Sequence, residues 1–121
     1  MTVIDASALL AFLKSELGQD VVEEALDAEV RVSAANWSEV AQKIAAANGD
    51  WNMVSTVLKS YGLRVEPVTE TDAEVAAEIW EPGRGLSLAD RLCIALGTRF
   101  DDTVMTADRA WGSGRRIRQI R

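Results

Sequence analysis

Thr2-Val3-Ile4-Asp5-Ala6-Ser7-Ala8-Leu9-Leu10-Ala11-Phe12-Leu13 opens the chain. Three β-branched residues, Thr2 to Ile4, run straight into an aspartate, and Leu9, Leu10 and Leu13 then recur at helical spacing. The pattern predicts a buried strand that hands over to a helix, with Asp5 on the turn between them. In open α/β sheets that turn lies at the carboxyl edge of the strands, where such folds place their ligands. Asp5 is thus a candidate site residue, and the rest of the chain must supply its companions.

The same alternation continues downstream. Gly18 stops the first helix, Asp20 caps a second carrying Val21, Val22, Ala25 and Leu26, and Val30 to Ser33 reads as a strand. Asn36 is expected to cap a helix through Ala47, with Trp37, Val40, Ala41 and Ile44 as its apolar stripe. Asn48-Gly49-Asp50 breaks it before a helix from Trp51 to Tyr61, and Leu63 to Val68 alternates like a strand. Thr71 and Glu74 form a capping-box signature for a helix ending near Trp80. After the loop Glu81-Pro82-Gly83-Arg84-Gly85, Ser87 caps a helix from Leu88 to Arg99. Thr103 to Thr106 is a strand with Ala107-Asp108 as its exit, and Ile117 to Ile120 is a candidate edge strand. Strands alternating with helices or helix pairs predict an α/β fold: a central parallel sheet covered on both faces, with right-handed crossovers.

At 121 residues, one domain over 1–121 is expected, burying about two-thirds of the surface of the unfolded chain. No basic region precedes the first apolar residues, and no apolar run approaches the roughly 20 residues of a membrane span. The reading is a cytoplasmic protein without membrane contact, and the single cysteine, Cys93, fits a reducing compartment. With no histidine and one cysteine, a His/Cys zinc site, a Ser-His-Asp triad and a Cys-His pair are excluded within the chain. Carboxylates, hydroxyls, Lys/Arg or a hard metal must carry any chemistry. The net charge of −6 is unevenly divided: residues 1–80 hold five Lys/Arg against fourteen Asp/Glu, and residues 81–121 hold eight Arg against five acids. That asymmetry implies a local basic surface, or a solvated tail with scattered arginines.

Asp5 and Asp108 both follow β-rich runs, and Glu39 and Asp90 fall in the first turns of helices that start from the same sheet edge. The fold would gather four acids, distant in sequence, into one pocket. Each also has a purely structural reading. Asp5 and Asp108 can cap helices, Asn36-x-x-Glu39 and Ser87-x-x-Asp90 fit the capping-box pattern, and Glu39 can pair with Lys43 one turn on. Asp90 heads a helix that is apolar over most of its circumference, so it needs a partner, either Arg91 or a metal. If the four converge, their repulsion raises their pKa values and must be offset. An oxygen-only donor set then selects Mg²⁺ or Mn²⁺, which can polarise a phosphate and lower the pKa of a bound water without any histidine base.

Val3-Ile4-Asp5-Ala6-Ser7-Ala8-Leu9, Asn36-Trp37-Ser38-Glu39-Val40, Leu86-Ser87-Leu88-Ala89-Asp90-Arg91 and Met105-Thr106-Ala107-Asp108-Arg109-Ala110-Trp111 together resemble the four motif blocks of PIN-domain ribonucleases. The branch they resemble is the VapC-type toxins of bacterial toxin–antitoxin pairs. The resemblance implies a three-layer α/β/α sandwich and Mg²⁺- or Mn²⁺-dependent hydrolysis of single-stranded or loop RNA, leaving 5′-phosphate and 3′-hydroxyl ends. It implies Asp5 and Asp90 as principal metal ligands, Glu39 and Asp108 completing the acidic pocket, and supporting hydroxyls at Ser7 and Thr106. It further implies a homodimer and a small antitoxin whose helix lies in a groove between N-terminal helices. Leu10, Leu13, Val22, Leu26, Trp51 and Val54 are candidates for that groove, or else ordinary core.

Arg84, Arg91 and Arg109 are candidate RNA contacts beside the acids. Trp37, Trp80 and Trp111 read as packing residues, and Asp101-Asp102 as a solvated turn. Two other function classes stand beside the nuclease. One is a non-catalytic α/β binding module whose acids only cap helices. The other is a phosphoacceptor receiver domain, suggested by Val104-Met105-Thr106-Ala107 but lacking a paired acid after the first strand.

Overall fold

Strand and helix alternate along residues 1–121, all of which the computed structural model describes. β1 (Thr2–Ile4) is followed by α1 (Ala6–Leu13) and α2 (Gln19–Ala28), and β2 (Val30–Ser33) by α3 (Ala34–Ala46) and α4 (Trp51–Ser60). β3 (Arg64–Glu66) leads into α5 (Glu70–Ile79) and α6 (Leu88–Phe100), and the chain closes with β4 (Thr103–Thr106), a 3₁₀ turn (Arg109–Trp111) and β5 (Ile117–Gln119). All four strand pairings are parallel, in the order β3-β2-β1-β4-β5. The result is the expected three-layer α/β/α sandwich. No helix is long and apolar enough to cross a membrane.

Because side chains alternate across a strand, the sheet divides the core in two. Ile4, Val30, Val32 and Met105 face a core with Leu9, Val22, Leu26, Val40 and Leu58. Val3 and Val104 face a smaller one with Cys93, Leu96 and Trp111. Gly97 allows α6 to lie close on β4, since a Cβ there would overlap Val104 Cγ2. β1 is central, flanked by β2 and β4. Reversal of strand order on either side of the first strand creates the crevice in which α/β folds bind ligands, at the carboxyl ends of the strands.

Several local expectations are corrected. α1 ends at Leu13, and Gly18, with φ +98°, precedes α2 in place of a capping Asp20. α3 begins three residues earlier than expected, because the Ser33 hydroxyl accepts from Ala35 N at 3.3 Å and leaves Asn36 buried inside the first turn. The capping box of α5 is Thr69 with Asp72, not Thr71 with Glu74. Asp72 is 3% exposed and paired with Arg99 at 3.6 Å, so this box is anchored in the fold as well as in the helix. β3 keeps only three of the residues expected to be strand.

Asp101 is the exposed left-handed residue ending α6, but Asp102 is not solvated: its carboxylate pairs with Arg31 at 2.8 Å. Trp80 is 58% exposed rather than packed. Of the residues proposed for a groove, Leu10, Val22 and Leu26 are buried core, and Leu13, Trp51 and Val54 are partly buried against it.

Candidate active site

Asp5 stands where β1 becomes α1, and its backbone N–H still bonds to Met105 O at 3.1 Å, so the sheet fixes its position. Its carboxylate caps α1, accepting the Ala8 N–H at 2.8 Å on Oδ1. Ser7 Oγ lies 2.8 Å from both carboxylate oxygens, and Thr106 Oγ1 donates to Oδ2. The hydroxyls are held in turn: Ser7 Oγ accepts the Ala107 N–H at 2.9 Å, and Thr106 Oγ1 accepts the Asp108 N–H at 3.0 Å. The carboxyl ends of β1 and β4 are therefore joined by a continuous hydrogen-bond chain from Asp5 to Asp108.

The other acids arrive from separate elements. Asp108 caps the 3₁₀ turn, accepting the Ala110 N–H at 2.9 Å. Asp90 and Ser87 form a complete capping box at the head of α6, with bonds of 3.0 and 3.1 Å. Glu39 lies one turn into α3 and is tethered by Asn36, whose amide donates to Oε1 at 3.5 Å. Asn36 also accepts the Ala6 N–H at 3.2 Å and donates to Ala89 O at 3.0 Å, tying α1, α3 and α6 together behind the acids.

Asp5, Ser7, Glu39, Asp90 and Asp108 line one cleft of about 310 Å³. Thr106 is fully buried beneath it, against Asp5. Burial, opposed by the hydrogen bonds and reinforced by the charge of Asp90, pushes the Asp5 carboxyl up to about 6. Burial and Asp90 also raise Glu39, with Lys43 acting in the opposite direction. Cys93, fully buried, is held well above the usual thiol range by burial and then by the charges of Asp5, Asp90 and Glu39, so it stays a neutral thiol.

No three of the carboxylates close on a common point as a ready-made cage. Mg²⁺ does not need one: it binds through one or two carboxylates and keeps several waters. The oxygen-only donors and the mutual repulsion expressed at Asp5 and Glu39 are what such a cation would relieve.

None of the three arginines expected beside the acids lines this cleft. Arg91 donates to Ala76 O at 2.8 Å and anchors α5, since adjacent helical residues point in different directions. Arg84 and Arg109 line two neighbouring cavities. The cations on the cleft wall are Lys14, Lys43 and Arg121. Two were legible in principle: Lys43 is one turn from Glu39 on the same helix, and Arg121 follows the last strand, hence lies at its carboxyl edge.

Residues 2–114 match the PIN domain family. Over 105 residues the chain is 32% identical to a VapC ribonuclease of Mycobacterium bovis and to ribonuclease VapC42 of Mycobacterium tuberculosis, covering 78% of this chain and 80% of each relative. Its fold is similar to that in a structure titled as a toxin-antitoxin complex from Klebsiella pneumoniae, with a TM-score of 0.80, 14% identity, and coverage of 100% of this chain and 98% of that one. A receiver domain is thereby set aside. From the match over nearly its whole length and the sheet that brings its four motif blocks to one edge, the chain belongs to the PIN-domain family, among its VapC members.

Proposed function

We propose that this protein is a divalent-metal-dependent endoribonuclease that hydrolyses phosphodiester bonds in single-stranded or loop RNA, and the toxin of a toxin–antitoxin pair. The observation that carries the reading is the single cleft receiving Asp5, Glu39, Asp90 and Asp108 from four separate stretches of chain. The VapC relatives support ribonuclease activity, and the toxin-antitoxin complex of similar fold supports an antitoxin partner.

Asp5 and Asp90 would hold Mg²⁺ or Mn²⁺, with Glu39 and Asp108 completing the acidic shell directly or through water. A bound cation supplies a polarised phosphate oxygen and an attacking water of lowered pKa. Ser7 and Thr106 fix the Asp5 carboxylate and favour its ionised form. Lys14, Lys43 and Arg121, on the wall of the same cleft, would receive the substrate phosphates and limit acid–phosphate repulsion.

Cleavage of an RNA panel in Mg²⁺ or Mn²⁺ is expected, with loss in EDTA and in an Asp5→Asn variant; equal cleavage under all conditions indicates contamination and overturns the reading. The cap bonds of Asp5, Asp90 and Asp108 favour one alternative, a binding module in which these acids serve only the helices. It requires that Asp90→Asn leave Mg²⁺ affinity unchanged in calorimetric titration, whereas the nuclease reading requires a clear loss.

A further inference from the structure

The acid cleft is one of three adjoining cavities. Arg121 is shared between the cleft and a shallow cavity at Arg109, and Gly112 and Ser113 are shared between that cavity and a third of about 460 Å³. The third is different in kind. Its floor is apolar, built from Ile79, Leu86, Ile94 and Ile117, and its rim carries Arg84, Arg115 and Arg116.

The rim charges are only partly neutralised. Arg84 lies 3.9 Å from Glu81 in a loose exposed pair, Arg116 is bound to Asp101 at 2.6 Å, and Arg115 is exposed without a carboxylate partner. An apolar floor with an arginine rim suits a ligand that has a flat hydrophobic body attached to phosphates. A single RNA strand repeats that combination at every nucleotide. Protein segments are less well matched, since Arg115 and the loosely paired Arg84 would have to be met by closely spaced acids.

We propose that this third cavity is a nucleotide subsite for the RNA flanking the cleavage point. The strand runs from the acid cleft past Arg121 and Arg109, turns at Gly112-Ser113, and lodges a base on the Ile79/Ile94 floor with its phosphates on Arg84 and Arg115. The proposal rests on the nuclease reading of the acid cleft, which it extends into a determinant of substrate length and sequence. The arginines here position substrate and touch no reacting atom.

RNA binding in EDTA, followed by fluorescence anisotropy, tests the subsite apart from catalysis. Ser113→Trp blocks the passage between cavities, and the Arg84→Ala/Arg115→Ala pair strips the exposed rim, where a folding defect is not expected. Each is expected to weaken binding of a long unstructured RNA about tenfold, and the arginine pair to reduce the salt slope by roughly 1.4, while a trinucleotide binds as before. KM for the long RNA should rise with kcat retained. Long-RNA affinity equal to the parent's in both variants overturns the subsite while leaving metal-dependent cleavage intact. A parent that neither binds nor cleaves RNA overturns both readings. A change of sedimentation in Ser113→Trp at unchanged RNA affinity assigns the cavity to a protein contact and overturns the proposal.

Discussion

The Thr106 hydroxyl donates to Oδ2 of Asp5, linking the carboxyl ends of β4 and β1 across 101 positions of the chain. This bond opposes the burial that raises the Asp5 carboxyl to about 6. Thr106→Val keeps the shape and removes the donor. A hydrogen bond to a charged group contributes about 1.5–3 kcal/mol, so the Asp5 pKa should rise by roughly 1–2 units. The acidic limb of the pH–rate profile for RNA cleavage is expected to move up by a similar amount. An unmoved limb would show that ionisation of Asp5 does not govern the rate.

Asp5 also sets a pH dependence of stability. Its carboxyl titrates near 6 in the folded protein against a reference of 3.8, so between these values the native state binds more protons than the unfolded one. Stability from this group therefore falls as pH rises through that window, by about 3 kcal/mol in total, and the loss is complete above it. Asp5→Asn, which is neutral at any pH, should flatten that fall. Thermal melts from pH 4 to 7 check this, and Mg²⁺ or Mn²⁺ should raise the melting temperature of the parent, but not of the variant, at neutral pH.

Asn36 is the brace of the cleft rather than a helix cap. It is 1% exposed and bonds to Ala6 N, Ala89 O and Glu39 Oε1, so three helices meet at one amide. Asn36→Ala leaves the buried Ala6 N–H and Ala89 carbonyl without that partner, at a cost of about 2–3 kcal/mol in denaturant unfolding. Because Glu39 loses its tether, kcat should fall more than KM rises. Equal stability of variant and parent would mean that water replaces the amide.

The architecture and the gathering of the acids were legible because they depend on local pattern. Thr2 to Ile4, Val30 to Ser33 and Thr103 to Thr106 are short β-rich runs, and parallel strands joined by helices bring the residues that follow them to one edge. Asn36 reads as a cap because Asn is a good cap in isolation; Ser33 takes that place through a local bond to Ala35 N, and only tertiary contact reveals that the Asn36 amide faces two other helices. The arginines failed for a related reason. Proximity in sequence placed Arg91 beside Asp90, but one helical step turns it toward α5. Lys14 lies beyond the end of α1, away from every strand exit, and nothing in sequence brings it to the cleft.

Asp102 makes the same point energetically. In Asp101-Asp102 the pair reads as a polar turn, yet Asp102 meets Arg31 at 2.8 Å, with both side chains largely buried at 12% and 14% exposure. Arg31 is also stacked 3.6 Å above the Phe100 ring and lies 3.4 Å from Glu66, so it joins β2 to β3 and to the C-terminal end of α6. Asp102→Ala leaves the guanidinium half-compensated in a low-dielectric setting and is expected to destabilise by about 2–4 kcal/mol. The double variant Arg31→Met/Asp102→Leu removes both charges and keeps the volume, so it should recover most of that loss, because well-packed apolar replacements of a buried pair are often neutral. Chemical denaturation of the two single variants and the double closes the cycle. Since this pair lies at the far end of the strands from the acid cleft, kcat of the double variant should match the parent's. A double variant no more stable than Asp102→Ala would mean that the guanidinium's contacts with Phe100 and Glu66, rather than its pairing with Asp102, hold this end of the sheet.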